Sequence, residues 1–335
     1  MKKLLLLLLL TIPFLLKGAL VNSKLESVDW KFAFKQIYQE FMQDQTRIKE
    51  LTPYEQESLQ KIIPDIATIN LSDSIKKISE LDEDKNRELL GLSAYHNLVS
   101  LVQISLEYGE VNCASKNEAL ILAASECHKD IIKLLLYHGA DVNSINYDKL
   151  SPLIFAAREG NRDLVELFLD YGAEVDHTNW VHRTALMYAV ALGHTAIVKL
   201  LLDRGAAVNH SDIGGCTALY YAASHECTDI ITLLLDRGAT INHVSSFCGN
   251  TPLFWAVWEG NTNAVAVLLN RGATINHADN KGNTPLIWAG IKKNSVMFEF
   301  LLQHGANINH INNRGEKAIN PISNNCCSAC IFGLF

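Results

Sequence analysis

The chain has 335 residues, 48% hydrophobic and 19% charged, a composition that can bury a large core and excludes a disordered polymer. A formal net charge of −7 with no block of five like charges argues against a nucleic-acid surface, which needs clustered Lys and Arg to neutralise phosphates. Partners are therefore expected among proteins or small molecules.

In chain order, the first segment is "MKKLLLLLLLTIPFLLKGAL". Its apolar run from Leu4 to Leu16 is shorter than the roughly 20 residues that span a bilayer. Behind Lys2 and Lys3 it has the layout of a signal peptide, so no stable membrane span is expected. A cut after Ser23 makes residues 1–23 a leader and the protein exported, periplasmic or secreted; an uncleaved anchor and a misplaced start are the alternatives. Residues 24–84 read as a helical N-terminal cap region. Val28–Leu51 carries Trp30, Phe34, Ile37, Tyr38 and Phe41 at helical spacing. Thr52 is an expected N-cap followed by Pro53, with Gln56 at the capping-box position. Leu71–Leu81 reads as a third short helix.

From residue 85 to 323 the chain repeats itself. Gly-Ala pairs begin at Gly139, Gly172, Gly205, Gly238, Gly272 and Gly305, at a constant spacing stretched by a single residue between Gly238 and Gly272. Twenty-one residues before each lies a second signature, from "EALILAA" at Glu118 and "SPLIFAA" at Ser151 to "TPLFWAV" at Thr251 and "TPLIWAG" at Thr284. Thr251 with Pro252, and Thr284 with Pro285, predict a helix N-cap followed by proline in the first turn, where its missing N–H costs nothing. "EGN" at Glu159 and Glu259 predicts the break between two helices, and each Gly of the Gly-Ala pair predicts a left-handed stop to the second. One such hairpin cannot bury its apolar face alone, but a stack of them can.

This period and these motifs resemble the ankyrin repeat, with six in-register copies, a degenerate first copy at Leu89–Asn112 and a partial last one stopped by Pro321. The resemblance implies an all-α solenoid of stacked helical hairpins with β-turn fingers. The interval from Gly109 to Gly139 is shorter than the rest, so the connecting finger of the first copy is expected to be short. The stretched copy has its extra residue in "HVSSFCGN", whose tip is expected to bulge. Where the family commonly has a histidine after Thr-Pro-Leu, this chain has Ile121, Ile154, Met187, Tyr220, Phe254 and Ile287, and packing is expected to replace that histidine's hydrogen bonds.

No phosphate loop, HExxH or GxSxG occurs, so no catalytic residue, cofactor or metal is expected. An activity within residues 24–84, with the repeats as a targeting module, is the alternative. The aromatic column Phe155, Tyr188, Tyr221, Trp255 and Trp288 is expected to pack in the core. His177, His210, His243, His277 and His310 form a second column. Its expected role is to span neighbouring fingers and bond backbone; a charge ladder sensitive to pH is the competing one. A shared metal is disfavoured, because equivalent residues of stacked helices sit about 8–10 Å apart and zinc holds each nitrogen at about 2.0–2.1 Å. The tail, residues 324–335, carries Cys326, Cys327 and Cys330, too few ligands for a structural zinc site and in the wrong place for prenylation.

By the resemblance, partner contacts fall just before the helix–helix turns and at the finger tips. The first set is Arg158, Glu159, Ala191, Leu192, Ser224, His225, Trp258, Glu259, Ile291 and Lys292. The second is Tyr147, Trp180, Val181, Arg183, Ile213, Phe247, Asn280 and Lys281. Trp, Tyr and Arg dominate interface hot spots, which ranks Trp180 and Trp258 first. The implied function is non-enzymatic recognition of a protein by a monomer through a concave face and finger tips. It is set in the periplasm, outside the cell, or in a host cell as a delivered effector.

Overall fold

The computed structural model describes residues 81, 83–225 and 227–321. The expected leader at 1–23, nearly all of the 24–84 region with its three expected helices, and the tail cysteines Cys326, Cys327 and Cys330 lie outside the described residues. The chain divides into two compact units, Met1–Asn146 and Tyr147–Phe335. Fourteen helices and no strand occur among the described residues.

The first unit holds α1 (Glu83–Tyr95), α2 (Val99–Tyr108), α3 (Cys113–Ser125) and α4 (Lys129–Tyr137). Helix α1 packs on α2 and α3, and α3 packs on α4, around Leu90, Leu101, Ile104, Leu120, Ile131 and Leu135. The short interval after Gly109 is explained here. Only four residues separate α2 from α3, so the first copy has no finger, and α3 starts five residues before Glu118. Asn112 caps that early start, its side chain accepting from Ser115 N–H at 2.8 Å.

The second unit runs through α5 (Pro152–Arg158), α6 (Arg162–Asp170), α7 (Ala185–Ala191), α8 (Thr195–Asp203), α9 (Ala218–Ser224), α10 (Thr228–Asp236), α11 (Pro252–Glu259), α12 (Thr262–Asn270), α13 (Pro285–Ile291) and α14 (Ser295–Gln303). Odd-numbered helices pack on one another in succession, as do α6, α8, α10 and α12, giving two layers. Leu186, Leu219, Leu253 and Leu286 of the first layer, and Val198, Ile231, Val265 and Phe298 of the second, are buried between them.

The letters act as read. Ser151, Thr184 and Thr284 accept cap bonds from Ile154, Met187 and Ile287 N–H. Thr251 caps α11 with its backbone only, and its buried hydroxyl has no partner. Gly238 shows how the second helices end. At φ +87° it turns the chain so that its own N–H reaches Leu235 O, and that of Ala239 reaches Leu234 O. Between that stop and the next odd-numbered helix the chain runs out as a finger, named here for the helix it leads into.

Candidate partner-binding surface

Four of the fingers are each closed by one short side chain. In the α7 finger, Asn179 Oδ1 accepts from Val181 N–H (3.1 Å) and Arg183 N–H (2.9 Å). Asp212 does the same in the α9 finger, Asp279 in the α13 finger and Asn312 in the last finger. The backbone closes around that carboxylate or amide. His182 N–H donates to Asn179 O and Asn179 N–H to Arg183 O, so Trp180 and Val181 are the two central residues of the turn. The residue after them is left-handed: His182 at φ +58°, Gly282 at φ +78°. The turn centres of the α9, α13 and last fingers are accordingly Ile213–Gly214, Asn280–Lys281 and Asn313–Arg314.

The α11 finger departs from this rule. Ser245 stands where the others have Asn or Asp, and its N–H reaches Asn250 O, one residue further than elsewhere. The tip therefore bulges, with Phe247 at its crest. A phenol from the preceding inner helix fills what a serine cannot. Tyr220 Oη accepts from Ser245 N–H (2.9 Å) and donates to the carbonyls of Asn250 and His243. This corrects the expectation that packing alone stands at the family's histidine place: at Tyr220 a hydrogen-bonding group remains, and burial pushes its phenol well above the ordinary range.

A second correction concerns the aromatic column. Phe155 is buried, but Tyr188, Tyr221, Trp255 and Trp288 are only half-buried. Three of their polar tips tether the finger that precedes them. Tyr188 Oη accepts from Asn179 Nδ2 (2.9 Å), Tyr221 Oη donates to Asp212 Oδ2 (2.5 Å) and Trp288 Nε1 donates to Asp279 Oδ2 (3.0 Å). Burial and then the Asp212 carboxylate raise the Tyr221 phenol; burial, Asp212 and Cys248 push the nearby Cys216 thiol up to about 11.

The histidine column staples finger to finger. Nε2 of His177, His210, His243, His277 and His310 donates to the carbonyls of Lys149, His182, Gly215, Gly249 and Gly282, at 2.9–3.1 Å. Each acceptor is the left-handed residue of the preceding finger. The preceding Asn reaches the other way: Asn242 Oδ1 accepts from Thr274 N–H (2.8 Å). In "GATINH" the Asn therefore grips the next repeat and the His the previous one. Among the described residues no group of three or more His, Cys, Asp or Glu is placed to hold a metal ion.

These staples line up the tips. Ile213 N–H bonds Val181 O, Phe247 N–H bonds Gly214 O, Asn280 N–H bonds Cys248 O and Asn313 N–H bonds Lys281 O. The Trp180 indole N–H bonds Tyr147 O at 2.6 Å, and Lys149 Nζ sits 4.1 Å from the ring centroid. Four consecutive tips thus present large apolar side chains to solvent: Tyr147 at 100% exposure, Trp180 at 61%, Ile213 at 64% and Phe247 at 83%. An exposed, pre-organised apolar row with three aromatic members is what interface hot spots use.

The other expected contact residues distribute as follows. Val181 is half-buried beside Trp180. Arg183 lies over the Tyr221 ring at 5.1 Å, its Nε 3.6 Å from Asp212 Oδ2. Near the helix–helix turns, Arg158 pairs with Glu159 at 3.0 Å, and Leu192, His225, Glu259 and Ile291 are exposed. Trp258 is half-buried, its ring 4.5 Å from Trp288 and capped by Lys292 Nζ at 3.7 Å. Trp258 therefore packs on the adjoining repeat, whereas Trp180 is held by its N–H and by Lys149 over its ring and stays 61% exposed. Sequence reasoning passed over Lys149 and Arg314; the second stands one repeat period after Lys281, an offset that could have flagged it.

A family model described as ankyrin repeats (3 copies) matches four overlapping stretches, residues 66–146, 90–179, 153–245 and 242–312. No curated protein matches the chain.

Proposed function

The chain belongs to the ankyrin-repeat family, whose members are generally non-enzymatic protein-interaction modules, and from that premise we propose that it binds a protein partner across its finger tips. The observation that carries this reading is the row Tyr147, Trp180, Ile213 and Phe247, four apolar tips on consecutive fingers held in line by the Trp180 indole bond and by backbone bonds. A rigid row loses little entropy on binding, so its apolar area converts efficiently into affinity. Arg183 stands in a finger beside the row, and Arg158, Glu159, Leu192, His225, Trp258, Glu259, Ile291 and Lys292, at the C-terminal ends of the odd-numbered helices, would extend the surface away from the tips along the concave face. The leader-like segment behind Lys2 and Lys3 supports export as the setting, periplasmic, secreted or host-directed.

The test is affinity capture from periplasmic and host lysates with the full chain, followed by titration of the captured protein. Trp180→Ala and Phe247→Ala are each expected to weaken it by about thirtyfold, the scale of a roughly 2 kcal/mol hot spot, with the melting temperature unchanged in Phe247→Ala and only slightly lowered in Trp180→Ala, which also loses the bond to Tyr147 O. Capture that both substitutions leave intact rules the tips out as the interface.

A further inference from the structure

The tip row changes chemistry along its length. The first four tips are apolar, but the next two carry Asn280–Lys281 and Asn313–Arg314 at the turn centres. Lys281 and Arg314 are exposed, and neither has an ion-pair partner among the described residues. The two carboxylates of these fingers are already engaged. Asp279 holds its own turn and the Trp288 indole, and Glu316 accepts from Asn312 Nδ2 at 2.8 Å. The last two fingers therefore each expose a cationic head that the finger's own carboxylate does not pair, in a chain whose net charge is −7.

We infer that the partner contributes a continuous protein segment with apolar residues at one end and carboxylates at the other, laid lengthwise along the tips. This rests on the reading of the tips as the interface. Apolar side chains seat on Tyr147, Trp180, Ile213 and Phe247, and the carboxylates meet Lys281 and Arg314. At about 8–10 Å per repeat, Tyr147 and Arg314 are roughly 40–50 Å apart, which an extended segment of about fifteen residues spans at about 3.3 Å each. An anionic membrane would also join apolar and cationic groups. Two cations on a single ridge give it little purchase, since each supplies only about 1 kcal/mol near a lipid surface. The cationic tips act on encounter rate and orientation, the apolar ones on residence time.

The test uses the full chain and a displayed library of random peptides long enough to cover all six tips. Enriched sequences are expected to combine an apolar block with an acidic block at a constant separation. For synthetic copies, measured by fluorescence anisotropy, Lys281→Glu with Arg314→Glu is expected to weaken binding about tenfold at low salt and little at high salt. Trp180→Ala with Phe247→Ala is expected to abolish it. Peptides that lose binding to the apolar double variant but not to the charge-reversed one overturn this inference and leave the tip interface standing. Peptides indifferent to both, or a library yielding none, overturn both readings. Sedimentation with phosphatidylserine vesicles, lost on Trp180→Ala, assigns the ridge to a membrane instead and overturns the inference.

Discussion

The α13 finger and the α11 finger do the same job with opposite means. In the first, one carboxylate three residues before Gly282 organises everything. Asp279 accepts from Lys281 N–H, from both the backbone and the side-chain amide of Asn283, and from the Trp288 indole, all within nine residues. In the second, Ser245 has one hydroxyl, which accepts only from Asn250 N–H at 3.3 Å. The turn is one residue longer, and the group that closes it, Tyr220 Oη, comes from the inner helix of the repeat before. A finger can thus be closed locally or from a distance. The local solution keeps a tight turn whatever its tip carries, Trp180 and Ile213 in two fingers and Asn280–Lys281 in this one; the distant one permits the bulge that lifts Phe247 into solvent.

The largest expected effect breaks the local solution. Asp279→Ala removes the acceptor of four N–H groups at once and should cost about 4 kcal/mol, at about 1 kcal/mol per net hydrogen bond. Ser245→Ala, at the equivalent place, should cost less than about 1 kcal/mol. Urea midpoints of the two variants measure the contrast, and equal losses would mean that the α11 finger is organised like its neighbours after all.

Next in size is the distant group. Tyr220→Phe deprives Ser245 N–H and the Asn250 and His243 carbonyls of one partner each. Ser245 N–H and Asn250 O retain one another, so the loss should be about 1.5 kcal/mol. The same group gives a pH signature. Tyr220, Tyr221 and Cys216 all have folded pKa values raised above their ordinary ones, mainly by burial. The folded state then holds protons that the unfolded chain releases, so stability is full below about pH 9 and falls as pH rises through the unfolded values of 9.0 and 10.0. The melting temperature should drop above about pH 9, and less steeply in Tyr220→Phe combined with Tyr221→Phe.

Smaller again is the staple between the two fingers. His277→Ala removes the 2.9 Å bond to Gly249 O and should cost about 1 kcal/mol in the urea midpoint. That bond is made by Nε2–H, which the neutral tautomer and the imidazolium share. Mild acidification should therefore not break it, and a charge ladder would have to act through repulsion alone.

Much of the fold was legible because its rules are short-range. Glycine stops, Thr-Pro starts and the repeat period itself all lie within one copy, and Asn179, Asp212, Asp279 and Asn312 recur in register where a turn needs an acceptor. What escaped reading is long-range. Nothing about Ser245 announces a phenol arriving from the preceding inner helix. Nothing about Gly109 shows that residues after it wind into α3 instead of a finger. The tip row was half legible. Tyr147, Trp180, Ile213 and Phe247 could be placed at tips by offset alone, but that they stay exposed while Trp258 folds against Trp288 depends on packing between repeats.

The smallest expected effect extends the short-range rules to the other end of an inner helix. The turn between α13 and α14 places Lys293 at φ +57°, where Gly160, Gly193 and Gly260 stand in three other repeats. A side chain in the left-handed region costs about 1–2 kcal/mol, and glycine gives back about 0.5–1 kcal/mol through the freedom it adds to the unfolded chain. Lys293 is exposed, and its N–H bond to Gly290 O does not depend on its side chain. Lys293→Gly should therefore stabilise the protein by about 0.5 kcal/mol, the difference between those two contributions. It would be seen as a small rise in the urea midpoint with an unchanged slope. A loss instead would mean that the lysine stem contributes packing over the α13–α14 turn, and that this turn, like the α11 finger, is held by something other than its own letters.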